Sequence, residues 1–373
     1  MEIAVAGDSM LCSLGLETAD VMEALESGAT GIRPHILEGK EVYAALFSED
    51  IKQAIHVAGH SFFESLLIRA IEQAVASSDI DIRHARTLIV IASTKGNIGR
   101  LDSRDTRSVR QEEITLGASA KRVAAFFGHP SVPHVVSNAC ISGISAMIHA
   151  ARMIRAGLYD TAVVAGADEI SLFVQSGFQS FMALSETICR PYDKRRNGIN
   201  LGEAGAALVL KKTDRPEPGT LLVKGGASAN DANHLSGPSR TGEELAMAVS
   251  GAIRKSGLTP EQIDFISAHG TATLYNDEME SKAFERAQLS EVPLHSLKSR
   301  FGHTLGAAGI LESVVLLQSM SRNLIFPTFG FESMGVSGKI NVCRQLTTTS
   351  LQHTLKTGSG FGGCNAAIVF SKA

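Results

Sequence analysis

Three stretches of this 373-residue chain set reactive side chains among small neighbours. The first, SNACISG (137–143), places Cys140 where the β-prone run PHVVSNA gives way to an apolar helical one. Most unpaired cysteines are core packing residues. At the mouth of a helix, though, the free amides of the first turn can receive an oxyanion, and the positive helix end favours thiolate over thiol. A nucleophile that forms a thioester needs both. The second stretch, ISAHGTAT (266–273), ends a strand on His269 and runs on through Gly270, Thr271, Ala272 and Thr273. That is either a structural histidine or the start of a close-packed polar loop suited to a substrate's amides. The third, LKSRFGHTLGAAGILE (297–312), combines Lys298, His303 and Glu312 with three glycines. A carboxylate on an apolar helix is costly unless paired, and Lys298 is the obvious partner.

A fourth stretch, TGSGFGGCNAA (357–367), reads as a glycine-rich loop. It has no GxxxxGK[ST] pattern and leads into a strand rather than a helix, so it is not a phosphate cradle. A flexible turn carrying one aromatic, Phe361, suits a gate over a pocket. Cys140, His269 and His303 match no metal-ligand spacing, and no metal is expected.

The elements that must position these residues alternate. EIAVAG (2–7), TLIVIAS (87–93), TAVVAGA (161–167) and AALVLKK (206–212) read as strands in the first part. GTLLVKGGAS (219–228), DFISAHG (264–270), VPLHSLKS (292–299) and AAIVFSK (366–372) read as strands in the second. Helical patterns fall at 61–78, 120–128, 141–158, 241–256 and 306–322, which argues α/β layers. GEAGAALVLKK (202–212) and GGCNAAIVFSK (362–372) look like one ending used twice, with a join in the polar KKTDRPEPGT. The helices after Cys140 and His303 are apolar almost all round, as expected of helices buried between two sheets.

Composition narrows the classes. A net charge of −3, no Trp and only 4 Tyr argue against a nucleic-acid platform. The start MEIAVAGDSM has no signal-peptide pattern, and no apolar run has membrane-spanning length. Five scattered cysteines (Cys12, Cys140, Cys189, Cys343 and Cys364) without a CxxC pair fit a reducing cytoplasm.

Taken together, NACISG, RPYDKRRNGINLGEAGA (190–206), HGTATLYND (269–277), KSRFGHTLGAAGILE (298–312) and GSGFGGCNA (358–366) resemble the β-ketoacyl-acyl carrier protein synthases with a Cys-His-His centre. The resemblance runs over nearly the whole chain. It implies the thiolase fold, an α/β fold of two pseudo-symmetric halves forming a five-layered αβαβα sandwich. The expected halves are 1–212, with the nucleophile, and 213–373, with both histidines, Lys298 and the gate loop.

It further implies that Cys140 carries an acyl group as a thioester. His269 and His303 would hydrogen-bond the thioester carbonyl of a malonyl-carrier, whose decarboxylated carbanion attacks the acyl group. Lys298, held by Glu312, would order the site and keep His303 neutral. The amides of Cys140 and Phe361 would form an oxyanion hole, and Phe361 would act as gate. Thr271 and Thr273 would contact the phosphopantetheine arm. That arm arrives on an acyl carrier protein, so no resident cofactor is implied. A homodimer is implied, with a heterodimer containing a second ketosynthase-like chain as the variant; neither membrane nor nucleic acid is a partner. A chain-length-determining subunit and a thiolase-like acyltransferase are the competing functions.

The chain departs from the family at the carrier-docking position, where IHVAGH (55–60) has no Lys or Arg. Arg100, Arg104, Arg107, Arg110, Lys121 and Arg122 are the substitutes on offer. Asn197 stands where Asp is usual, and Ser359 where the family often has a phenylalanine. These departures point to a specialised carrier and a changed acyl pocket, as in polyketide or polyene synthesis.

Overall fold

A computed structural model of the protein describes residues 1–37, 39–102, 109–232 and 237–373. In the first half, β1 (Glu2–Cys12), β2 (Thr87–Ala92), β3 (His134–Val136), β4 (Thr161–Asp168) and β5 (Ala204–Thr213) lie in the order β1-β5-β4-β2-β3. In the second, β6 (Leu221–Asn230), β7 (Phe265–Ser267), β8 (Pro293–His295), β9 (Asn341–Val342), β10 (His353–Gly360) and β11 (Cys364–Lys372) lie in the order β6-β11-β10-β7-β8-β9. The pairing senses match: β1–β5 and β5–β4 are antiparallel, as are β6–β11 and β11–β10. The remaining neighbours, β4–β2, β2–β3, β10–β7, β7–β8 and β8–β9, are parallel. The repeated sequence ending therefore occupies equivalent strands, β5 and β11. A single pairing, Ala4 with Leu222, joins the two sets.

Helices fill three further layers. Outside the first sheet lie α1 (Phe62–Ala76) and α2 (Leu116–Phe126). Ser61 caps α1 with a reciprocal Ser61–Glu64 capping box, which fixes where that helix begins. Between the sheets run α3 (Ser142–Arg155) and, in the second half, the helix Ala308–Arg322. Each touches strands of both halves, which explains why neither carries a continuous polar face. Outside the second sheet lie α4 (Glu243–Ser256) and α5 (Leu274–Arg286). A short turn, α6 (Lys298–Phe301), precedes the inner helix, α7 (Ala308–Arg322). The result is the αβαβα sandwich.

The two inner helices cross at glycines. A Cβ on Gly143 would come within 2.8 Å of the Ile310 nitrogen, and one on Gly309 within 2.6 Å of the Ile144 nitrogen. Only hydrogen at both positions lets the backbones approach this closely. Cys140 lies between β3 and α3, and His303 between β8 and α7, so the pseudo-symmetry brings the starts of equivalent helices face to face.

Two local expectations are corrected. The strand expected over 292–299 stops at His295, and Lys298 begins α6, because its buried ammonium turns back toward α7. The glycine-rich stretch is mostly hairpin: Thr357–Gly360 completes β10, Cys364 opens β11, and only 361–363 form the turn. Gly363 has φ +73°, and a Cβ there would overlap the Asp231 carbonyl at 1.9 Å, so the turn needs glycine for close approach.

Candidate active site

Cys140, His269 and His303 converge from three separate loops, their ligand-type atoms all within 4.8 Å of one another. His303 Nε2 lies 2.9 Å from Cys140 Sγ. The two imidazoles meet edge to face, with centroids 5.3 Å apart at 84°. Phe178 packs against His303 and against Phe361, and Phe181 also packs against Phe361. The Phe361 amide bonds the Cys140 sulfur, while Phe361 as a whole is 38% exposed.

Each histidine is held through its backbone. Asn200 accepts from the His303 amide at 2.7 Å, and the Gly202 amide donates back to the His303 carbonyl at 3.1 Å. Gly302 makes this crossing feasible: its φ is +66°, and a Cβ would meet the Leu201 oxygen at 2.4 Å. This gives GINLGEAGA its structural purpose. The His269 loop is held by two buried carboxylates of α5. Glu280 accepts from the His269 and Gly270 amides at 2.8 and 2.7 Å, and Asp277 accepts from the Thr271 and Ala272 amides. Tyr192 donates its hydroxyl to Glu280 and its amide to Asp277. Thr271 and Thr273 share a 2.9 Å hydroxyl contact beside this loop, and Thr273 also caps α5.

Behind the histidines, Lys298 and Lys356 both pair with Glu312, Lys298 at Oε1 and Lys356 at 2.6 Å from Oε2. Burial alone would raise the Glu312 carboxyl, but the two ammonium groups hold it at about 2. Burial, reinforced by Lys298, pushes His303 down to about 3 and His269 well below its ordinary value. Both imidazoles are therefore neutral at physiological pH. Nδ1 of His303 has no hydrogen-bond partner among the described residues, so its tautomer is not fixed from that side.

Cys140 departs from expectation. It lies one residue before the α3 cap, Ile141, after an Ala139 strained at φ +43°. Although the residue is partly exposed, its sulfur is enclosed: burial pushes the thiol up to about 12, and the nearby Cys364 adds to this. Lys298 and the Phe361 amide oppose the rise without reversing it. The resting pair is thus thiol and neutral imidazole rather than thiolate. A divalent cation would find suitable donor atoms here. Two ammonium groups against one carboxylate, however, leave surplus positive charge that opposes it.

The sequence reading missed four supports. Lys356 carried little signal, because its strand HTLKTGSG is mostly polar and glycine-rich. Asp168, at the end of β4, accepts from Ser93, Thr94 and Gly306 and so ties the loop after His303 to the first sheet. Glu280 lies three residues beyond the motif that was recognised. Phe178 had no sequence signal. The substitute docking surface is also altered. His56, His60, Arg100, Arg110 and Arg122 line a cleft of about 490 Å³, but Glu64 pairs with Arg122 and Glu113 with Arg110. Arg104 and Arg107 lie outside the described residues.

Known proteins resemble this chain in sequence and fold. Residues 1–215 match the family description "Beta-ketoacyl synthase, N-terminal domain", and residues 221–332 match "Beta-ketoacyl synthase, C-terminal domain". The 3-oxoacyl-[acyl-carrier-protein] synthase 2 of Vibrio cholerae is 34% identical over 336 residues, covering 80% of each chain. The tetracenomycin polyketide synthase ketoacyl synthase alpha subunit of Streptomyces glaucescens is 32% identical, covering 64% of this chain and 59% of its own. Among solved structures, a ketosynthase (ApeO) in complex with its chain length factor (ApeC) from Xenorhabdus doucetiae superposes with a TM-score of 0.88. Its identity is 26%, over 100% of this chain and 98% of that one. With a thiolase fold that places one cysteine opposite two uncharged histidines, the chain is an enzyme of the beta-ketoacyl synthase family.

Proposed function

We propose that the protein catalyses decarboxylative Claisen condensation of an acyl thioester with malonyl-acyl carrier protein. The observation that carries this is the Cys140–His303 contact beside His269, with both imidazoles kept uncharged. In the first half-reaction the Cys140 sulfur attacks an acyl-carrier thioester, and the amides of Cys140 and Phe361 receive the oxyanion. The carrier thiol departs with the proton released by Cys140, relayed by His303 Nε2. In the second, His269 and His303 donate to the malonyl thioester oxygen. The bond to the carboxylate breaks, carbon dioxide leaves, and its electron pair becomes an enolate whose charge grows on that oxygen. Donors aimed there stabilise the transition state more than the ground state. The enolate carbon attacks the acyl-Cys140 carbonyl, the C–S bond breaks, and the departing sulfur takes up a proton from solvent. A β-ketoacyl-carrier is released.

Lys298 and Glu312 order the histidines, Thr271 and Thr273 guide the phosphopantetheine arm, and Phe361 gates the chamber between half-reactions. The arm travels with the carrier, and the chemistry calls for no resident cofactor. We assign residues 1–212 and 213–373 to the two halves and place the protein in the cytoplasm, as a dimer. The kinship with a ketosynthase solved alongside a chain length factor supports a second ketosynthase-like chain as partner, with a homodimer as the alternative. The carboxylate-masked cleft near α1 and the buried Ser359, bonded to Asn365, support a specialised carrier and acyl pocket of polyketide or polyene type.

Carboxyl-labelled malonyl-carrier, incubated with acyl-carrier and the purified protein, tests the reading. Labelled carbon dioxide should appear together with a β-ketoacyl-carrier. Acyl transfer without carbon dioxide release would instead identify a thiolase-like acyltransferase.

A further inference from the structure

Lysine is seldom fully buried, and Lys356, in the middle of β10, is 1% exposed. Its ammonium donates to the carbonyls of Ser267 and Ala268 at 3.1 and 3.2 Å, and contacts Glu312 at 2.6 Å. Those carbonyls are the last before His269, and Ser267 is the register partner of Lys356. The other side of the same loop is fixed by Glu280, which accepts from the His269 and Gly270 amides and from the Thr357 hydroxyl. Glu312 stands on α7, the helix that follows His303. One cation thus bridges the segments that carry the two histidines.

We propose that Lys356 is a positioning residue for the condensation: it ties the end of the His269 strand to Glu312 and so sets the spacing of the two imidazoles. This rests on the enzymatic reading above. The surrounding charges point the same way. Facing the imidazoles are Lys298 on α6, Glu312 on α7, Lys356 on β10, and Cys140 at the start of α3, with Cys364 of β11 beside it. The Glu280 carboxylate is committed to backbone amides and the hydroxyls of Tyr192 and Thr357, and the Asp168 carboxylate to amides and the hydroxyls of Ser93 and Thr94. Two ammonium groups against one carboxylate disfavour imidazolium, and both histidines feel Lys356. Without Lys356, Glu312 and Lys298 would cancel.

The test compares wild type with Lys356→Met, which keeps bulk and removes charge. Carbon dioxide release from malonyl-carrier, acylation of Cys140, and titration of carbon-13-labelled imidazoles are followed in parallel. Decarboxylation kcat should fall about tenfold or more, short of the roughly 10²-fold or greater loss expected on deleting a transition-state donor. KM should stay within about twofold and Cys140 acylation should persist, because positioning acts on the second half-reaction. The imidazole titrations should move upward, and methylammonium should restore part of the activity lost in Lys356→Ala. A folded Lys356→Met with wild-type decarboxylation and unmoved imidazoles would overturn the proposal. If Lys356→Met does not fold, Lys356→Gln, which keeps donors for the carbonyls without charge, carries the same comparison. Wild-type protein that releases no carbon dioxide would overturn the enzymatic reading instead, and the imidazole titration would still decide the positioning.

Discussion

At Cys140 two effects oppose each other, and burial wins. A helix start and Lys298 favour thiolate, but an enclosed sulfur beside Cys364 is held as a thiol, so reactivity depends on His303 at 2.9 Å. Cys140→Ala should therefore abolish condensation while leaving some decarboxylation, since both histidines remain; parallel assays of product and carbon dioxide check this. Loss of both activities in a folded variant would contradict the division of roles. The histidines give a second expectation. An unperturbed imidazole ionises near 6.5, whereas His303 is depressed to about 3 and His269 is also lowered, so both stay neutral as pH falls through the ordinary range. The decarboxylation rate should show no imidazole-type acid limb between about pH 8 and pH 5, and a limb centred near 6.5 would contradict the assigned state. The residues that converge at the candidate site were legible in the sequence because each stands among small neighbours. The protonation state of Cys140 was not, because enclosure by distant strands has no local signature.

The inner helices show how far element-level patterning reaches. Their all-round apolar character identified them as buried, and that followed from sequence alone. Their crossing did not, since Gly143 and Gly309 are ordinary helix glycines until the partner backbone is known. Adding a methyl group at Gly309 would force the Ile144 nitrogen, 2.6 Å from the new carbon, to move. Gly309→Ala should cost about 1–3 kcal/mol despite alanine's higher helix propensity. Chemical denaturation measures this, and an unchanged or raised midpoint at the same slope would show that the helices do not pack this closely. The glycine-rich hairpin illustrates the opposite error. Composition suggested a long loop over 357–367, yet pairing between β10 and β11 overrides the weak strand preference of glycine. Helix α5, which begins within the HGTATLYND motif, lacks a clear apolar period and emerges only from tertiary packing.

The molecule as a whole is built so that neither half can complete the site. Cys140 belongs to the first half, and both histidines, Lys298, Glu312 and Lys356 to the second. Helix α7 of the second half packs on β1, β4 and β5 of the first. Residues 1–215 expressed alone should not accept an acyl group, whereas co-expression with 216–373 should restore acylation; efficient labelling of the isolated first half would show that the shared inner layer is dispensable. The duplicated strand ending made this two-part plan readable from sequence. The pairing of Arg100, Arg110 and Arg122 with carboxylates was not readable, because Glu64 and Arg122 are joined only by folding. The most direct measurement is an intact-mass chase on the purified protein. Acyl-carrier should add one acyl mass, located on Cys140. Malonyl-carrier should then erase that mass as carbon dioxide and a carrier product two carbons longer appear. An acyl adduct elsewhere, or one on Cys140 that malonyl-carrier leaves in place, would contradict the account.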